Sequence, residues 1–145
     1  MKYVLTMFIA LMSPVTIACS CPELDVAAQL PRYPKVYVGK VIWMQELGAG
    51  YTSRWAATLE VSEIFKGDVY DLEEAVTSHS GASCGVTFRP EASYLVFEDE
   101  DGEVMSCTTK ALEGVFGPRH TDDLALLRKI APEHKVIQLT SPEIG

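Results

Sequence analysis

The stretch KVYVGKVIWM, residues 35–44, is rich in β-branched and aromatic side chains that alternate with a two-residue period. Val36 and Val38 fall on one face of such an extended segment, and Tyr37 and Val41 fall on the other. This combination of residue types and period is typical of a β-strand. The stretch therefore predicts the first long strand of a sheet.

Further strands follow along the chain. Gly48 and Gly50 lie in the loop between this strand and a second apolar, alternating segment, so the two strands form a hairpin. A turn at Asp101-Gly102 separates the last two strands of the prediction. Beyond the first strand, the predicted strands span 54–67, 71–78, 92–98 and 103–109, and the segment 134–140 is a candidate edge strand.

Two helices are predicted, one near each end of the mature chain. A short helix at 22–31 begins with Pro22 and stops at Pro31. An amphipathic helix at 120–132 has Thr121 or Asp122 as candidate caps. We expect a single domain, residues 19–145, that is mainly β with flanking helices and forms a five-stranded, OB-like antiparallel barrel, closed or partly open.

Residues 1–18 have the organisation of a secretory signal peptide. A start with Lys2 is followed by an apolar run at 3–12 and by a small residue, Ala18, at the predicted cleavage site. The apolar run is about half as long as a membrane-spanning helix requires, so no transmembrane anchor is expected. The sequence predicts a secreted or periplasmic protein whose mature chain begins at Cys19.

The predicted mature chain is strongly acidic. The full chain has 12 Lys and Arg residues and 20 Asp and Glu residues, and removal of Lys2 with the signal changes the formal charge from −8 to −9. Such a charge repels phosphate backbones and anionic lipid headgroups. Nucleic acid is therefore excluded as a partner, and an extracytoplasmic protein is expected instead.

The four cysteines, Cys19, Cys21, Cys84 and Cys107, all lie in the exported part of the chain. An even number of cysteines in an oxidising compartment predicts two disulfides. A bond between Cys19 and Cys21 would be badly strained, which leaves two connectivities that tie the N-terminus to distant segments. The spacing does not match a four-thiolate zinc site, so no intrinsic metal or other cofactor is expected.

No established catalytic motif is present in the sequence. His79, His120 and His134 are isolated and lie next to predicted turns or helix ends, where they are expected to be surface or capping residues. The acidic run 98–101 lacks the spaced oxygen ligands of a calcium loop and fits a solvated hairpin tip. The sequence therefore predicts a binding protein and not an enzyme.

An ordered set of motifs resembles a known family. The set comprises the Cys-Ser-Cys at 19–21, VYVGKVI, VSEIFKG, ASCGVTFRPEASYLVF and EVMSC. It resembles the N-terminal inhibitory domain of the tissue inhibitors of metalloproteinases, a netrin-like module on an OB-type barrel. The resemblance implies disulfides between Cys19 and Cys84 and between Cys21 and Cys107.

The resemblance also implies an inhibitory site at the start of the mature chain. The amine and carbonyl oxygen of Cys19 would chelate the catalytic zinc of a metalloprotease and displace its water. Ser20 would point toward the specificity pocket of the protease, and Ala82 and Ser83 would form a second contact edge. The implied partner is an extracytoplasmic zinc metalloprotease.

Two alternatives remain open from the sequence. Cys-Ser-Cys is also consistent with a disulfide staple on a non-inhibitory structural or interaction module. The residues Thr16-Ile17-Ala18-Cys19 loosely match a bacterial lipoprotein site, which would place the protein at a membrane surface by a lipid anchor. Lipidation of Cys19 would use its thiol and block the amine that chelation requires.

Overall fold

The computed structural model describes residues 19–79, 83–115 and 117–138, without the side chain of Tyr51. The predicted signal peptide, residues 1–18, and Ala82 of the predicted contact edge lie outside the described residues. In chain order the elements are α1 (Val26–Gln29), β1 (Lys35–Leu47), a 3₁₀ turn (Gly50–Thr52), β2 (Arg54–Lys66), β3 (Leu72–Ser78), β4 (Ser93–Glu98), β5 (Lys110–Ala111), β6 (Glu113–Gly114), β7 (Gly117–Pro118), α2 (Thr121–Ile130) and β8 (Lys135–Val136).

Two long antiparallel strands, β1 and β2, form the centre of the main sheet. They pair from Val36 opposite Lys66 to Leu47 opposite Arg54, with three register shifts along the ladder. The strand order is β3-β2-β1-β4-β5, the short β8 also pairs with β2, and β6 and β7 form a separate two-stranded sheet. The predicted mainly β class with flanking helices is therefore confirmed.

The sheet does not close into a full barrel, so of the two predicted forms the structure has the partly open one. Among the described residues, one isolated parallel bridge joins Val76 of β3 to Glu103, which lies between β4 and β5. Just before the bridge, the Asp99 carboxylate accepts hydrogen bonds from the amides of Asp101 and Glu103, at 2.9 and 2.8 Å. The predicted turn at Asp101-Gly102 is present, but Glu98 of the acidic run is only 1% exposed and does not belong to a solvated tip.

The predicted strand at 103–109 is wrong, which explains why the barrel stays open. The Met105 carbonyl accepts hydrogen bonds from the amides of Thr108 and Thr109, at 3.2 and 2.8 Å. Because the turn uses these amides, they cannot continue a ladder along β3. The regular strand begins only at Lys110, where β5 pairs with β4.

The predicted alternation along β1 is confirmed, and both faces of the strand are buried. Tyr37 and Val41 belong to a core cluster on one face of the sheet, which also contains Leu59, Val61, Phe88, Tyr94 and Val96. Val36 and Val38 belong to a second cluster on the other face, with Val26 of α1, Phe65, Leu95, Phe97 and Leu127 of α2. The helices therefore cover one face of the sheet.

Gly39 lies in β1 where the Leu59 side chain of β2 leaves no room for a side chain. A Cβ atom at Gly39 would lie 2.8 Å from the Cβ of Leu59 on β2. Any larger residue would therefore force the two strands apart.

The helix α2 is anchored to the sheet by an apolar and an ionic contact. Leu127 is fully buried. Arg128 donates two hydrogen bonds to the Glu63 carboxylate of β2, at 2.8 and 2.9 Å, and the Nε2 of His134 lies 2.6 Å from the same carboxylate. No helix in the described part of the chain is long and apolar enough to cross a membrane.

The start of each helix differs from the prediction. The N-cap of α2 is His120, at a φ of 56°, and neither Thr121 nor Asp122 caps the helix. The first helix spans only Val26–Gln29, because Asp25 caps it by accepting a hydrogen bond from the amide of Ala28 at 3.0 Å.

A buried polar cluster connects β1, β3 and β4. The Lys35 ammonium forms a salt bridge with Glu73 and lies 3.1 Å from the Glu98 carboxylate. The Tyr37 hydroxyl donates a hydrogen bond to Glu98 at 2.7 Å. Burial raises the pKa of Glu98 although both donors favour its ionised form. Burial also raises the pKa of Tyr37, so its hydroxyl keeps the proton that it donates.

Candidate protein-binding site

Two disulfides hold the start of the described chain. Cys19 is bonded to Cys84 and Cys21 is bonded to Cys107, with Cα atoms 5.5 and 4.9 Å apart. This is the pairing that the resemblance implies. The bridges lie side by side, because the sulfur of Cys19 is 3.9 Å from that of Cys107. Residues 19–21 together with Cys84 and Cys107 are called the clamped N-terminus below, because the predicted mature chain begins at Cys19.

The clamped N-terminus has no thiolate with which to bind a metal. The sulfurs of Cys19, Cys21 and Cys107 lie within 4.8 Å of one another. Each sulfur already belongs to a disulfide, and a disulfide sulfur is not the thiolate ligand that zinc requires. The same bonding means that the Cys19–Cys84 disulfide and a lipid on the sulfur of Cys19 exclude each other.

Ser20 is exposed between the two bridged cysteines. Cys21 is also exposed, and Cys19 is half-buried. Because the residue on each side of Ser20 is covalently attached to a different segment of the fold, the backbone around Ser20 has little freedom to reorient. The clamped N-terminus therefore presents a short, stiff and solvent-accessible stretch of backbone.

The segment containing Ser83 and Cys84 lies beside the clamped N-terminus. The disulfide holds Cys84 next to Cys19, and Ser83 is exposed. Cys84 has a φ of 60°, a left-handed conformation that is uncommon for a residue other than glycine. This backbone turn lies at the position where the resemblance implies a second contact edge, of which Ala82 lies outside the described residues.

A third segment joins this surface, and the sequence prediction named only its cysteine. The amide of Ser106 donates a hydrogen bond to the carbonyl of Cys84 at 2.9 Å. Met105, the next residue, is 47% exposed. One signal in the sequence could have indicated this segment, since the apolar Met105 in EVMSC lies two positions before Cys107.

A small polar pocket adjoins Cys21. Its volume is about 240 Å³, and its lining includes Glu23, Lys110, His120 and Asp123. The Nδ1 of His120 lies 2.9 Å from the Asp123 carboxylate, and Lys110 donates to the carbonyl of Ser106 at 3.3 Å. The pocket lining places the start of α2 beside Cys21 of the clamped N-terminus.

The three histidines lie apart from one another, and each contacts a different residue. His79 accepts a hydrogen bond from the Trp55 indole at 2.8 Å and is exposed, as predicted for a surface residue. His120 is the helix cap described above. His134 differs from the prediction, because it is partly buried against Glu63 and stacks on Phe65 with ring centroids 5.2 Å apart.

The two disulfides fit an oxidising, extracytoplasmic environment. No protein-family model matches the chain, and no curated protein sequence matches it. The implied inhibitory activity therefore remains a prediction from the quoted motifs.

Proposed function

We propose that the chain is an exported protein-binding domain whose clamped N-terminus inhibits a zinc metalloprotease. The observation that supports this proposal is the covalent clamp itself. Cys19 and Cys21 are each bonded to a separate segment of the fold, and Ser20 is exposed between them. A protein that inserts its N-terminus into another protein's active site needs this combination of stiffness and exposure.

The proposed chemistry uses main-chain atoms of Cys19. After removal of residues 1–18, its α-amine and carbonyl oxygen would close a five-membered chelate ring on the protease zinc. The chelate would displace the water that the protease activates. An α-amine has a pKa of about 8 in model peptides, so a useful fraction is neutral at physiological pH.

The disulfides contribute to affinity through rigidity. In the chain-entropy model, a bridge that closes a 65-residue loop, as Cys19–Cys84 does, stabilises the fold by about 4 kcal/mol. A backbone that is already fixed before binding loses less conformational entropy in the complex. Ser20 then enters the specificity pocket of the protease, and the segment at Ser83 contacts its rim.

The test is to extend the mature protein by one alanine before Cys19. The extension moves the free amine away from the Cys19 carbonyl and removes the chelate, while both disulfides remain. Inhibition of peptide hydrolysis would be measured with a panel of extracellular zinc endopeptidases. We expect the protein that starts at Cys19 to inhibit at least one of them, and the extended protein to be at least about 100-fold weaker with an unchanged melting temperature.

A matched control carries one alanine inserted in the exposed loop between Gly48 and Ala49, far along the chain from Cys19. This variant should inhibit as the unmodified protein does. Equal inhibition by the N-terminally extended protein would contradict chelation. A lack of inhibition by the unextended protein across the whole panel would contradict the inhibitory function.

A further inference from the structure

The last part of β1 has one edge to which no described strand is paired. β4 pairs with β1 only along residues 35–40. At Val41 the amide still donates to the carbonyl of Ala92 at 3.0 Å, and the carbonyl accepts from the amide of Glu91 at 2.9 Å. Beyond Val41 the β4 side has no strand partner in the described chain, whereas the opposite side remains paired with β2. The free side of residues 43–47 is called the open edge below.

The open edge is regular enough to accept another strand. The last register shift of β1 lies between Val41 and Trp43. From Trp43 opposite Thr58 to Leu47 opposite Arg54, five successive residues pair with β2 without interruption. In an antiparallel strand, alternate residues direct their N–H and C=O groups away from the paired neighbour. The open edge therefore presents unpaired backbone donors and acceptors in an extended geometry.

Natural sheets commonly protect such edges with proline, lysine or a bulge. The open edge has the sequence WMQEL and contains no proline or lysine. The bulge at Ile42 lies before it and leaves the following five residues regular. Large apolar side chains are also exposed here, since Trp43 is 65% and Ile42 is 42% exposed. Tryptophan is among the residues that contribute most to protein interfaces.

The charged residue on the open edge itself is acidic. Glu46 lies on the edge and is exposed. The neighbouring cations are held in salt bridges, Lys40 with Glu91 at 2.6 Å and Arg54, which lies opposite Leu47, with Glu103 at 2.6 Å. A second copy of this chain at the open edge would bring its own Glu46 close to this one, and each mature chain carries a formal charge of −9. The two copies would therefore repel each other there.

We propose that the open edge binds an extended segment of another protein by adding it as a strand, and that this segment carries basic side chains. Main-chain hydrogen bonds to residues 43–47 would set the register of the added strand against β1, and Trp43 would cover the apolar side chains of that strand. Basic side chains would lie near Glu46. This interaction uses neither the amine of Cys19 nor the clamped N-terminus, so it is independent of protease inhibition.

The test uses the uniformly ¹⁵N-labelled mature protein and a basic nine-residue probe, acetyl-Lys-Val-Thr-Val-Lys-Val-Thr-Val-Lys-amide. Amide chemical shifts and amide exchange would be followed by NMR during the titration. We expect shifts and exchange protection concentrated at residues 43–47. Trp43→Ala should weaken binding. Tyr70→Phe should leave binding unchanged, because Tyr70 is 74% exposed and lies between β2 and β3.

Two control peptides separate strand addition from charge attraction. One has N-methyl groups on alternate backbone amides and keeps every side chain and charge, and the other has glutamate in place of each lysine. We expect both to bind at least about tenfold more weakly, because the first loses backbone hydrogen bonds and the second meets like charges.

Several outcomes would overturn the proposal. Equal binding of the N-methylated peptide would exclude strand addition, and equal binding of the glutamate peptide would exclude a basic partner. Shifts located elsewhere, or none at residues 43–47 with millimolar peptide, would exclude the site. Concentration-dependent dimerisation without peptide that protects residues 43–47 would identify a second copy as the occupant and contradict a separate basic partner.

Discussion

Glu63 is the residue at which β2, the helix α2 and the segment leading to β8 meet. Its side chain is only 10% exposed, and it contacts both Arg128 and His134. The hydrogen bonds from Arg128 lower the pKa of Glu63, with His134 adding to this effect and burial opposing it. A carboxyl whose pKa is lowered on folding stabilises the fold above its unfolded pKa, and this contribution is lost as the pH falls through the folded pKa.

Replacement of Glu63 by glutamine should therefore have a pH-dependent effect. At pH 7 we expect E63Q to lower the free energy of unfolding by about 1–2 kcal/mol, since it removes a charge-assisted, partly solvated pair. Because a protonated Glu63 resembles glutamine, the difference from the native protein should shrink below about pH 4. Urea unfolding at a series of pH values would measure it.

The matched control for this prediction is E74Q, which changes an exposed glutamate of β3. It should have little effect at either pH. If the native protein and E63Q differ by the same amount from pH 3 to pH 8, the ion pair with Arg128 does not stabilise the fold in the way described.

The Glu63 contacts also mark a limit of sequence reasoning. The apolar spacing in 120–132 predicted a helix because that pattern is local. The partners of Glu63 lie 65 and 71 residues away along the chain. Only the folded sheet brings these residues together, so the pattern predicted the helix but not the ionic contact that orients it.

At the scale of single elements, β1 was well predicted and the segment 103–109 was not. The alternation of Val36, Tyr37 and Val38 specifies which face each side chain occupies, whatever the neighbouring strands do. The turn at Met105 depends instead on backbone hydrogen bonds from Thr108 and Thr109. Hydrophobic alternation does not encode such a turn, and so the sequence predicted a strand there.

The candidate site was partly predictable for a related reason. Spacing excluded a bond between neighbouring cysteines but left two connectivities open, and only the family resemblance indicated one of them. Ser20 and Ser83 were named from that resemblance, and the structure places both on the surface beside the disulfides. Met105 was missed, because its exposure depends on the turn that the sequence pattern did not predict.

The bridge between Cys21 and Cys107 should be a major stabilising element. It closes a separation of 86 residues, for which the chain-entropy model gives about 4.6 kcal/mol. The double variant Cys21→Ser/Cys107→Ser leaves no free thiol from this pair. We expect it to have a markedly lower melting temperature in thermal unfolding followed by circular dichroism.

Ser20→Ala is the control for this prediction, because it changes an exposed residue between the same two bridges. Its melting temperature should match that of the native protein. An unchanged melting temperature in the double variant would contradict a stabilising role for the Cys21–Cys107 disulfide.

At the scale of the whole molecule, two surfaces of different chemistry are proposed as binding sites. The clamped N-terminus offers main-chain donor atoms for another protein's metal, and the open edge offers unpaired backbone groups beside the Glu46 carboxylate. The formal charge of −9 on the predicted mature chain favours basic partners at long range at both surfaces. The two proposals fail independently, since one requires a free amine at Cys19 and the other requires only residues 43–47.

The central claim is that the mature protein acts through an unmodified Cys19 held by disulfides. Intact mass measurement with N-terminal sequencing of the protein from an exporting host tests this claim most directly. We predict a chain that starts at Cys19, with a mass four hydrogens below that of the fully reduced chain, because each of the two disulfides removes two hydrogens. A blocked N-terminus, a lipid-sized mass increment or a start at another residue would contradict it.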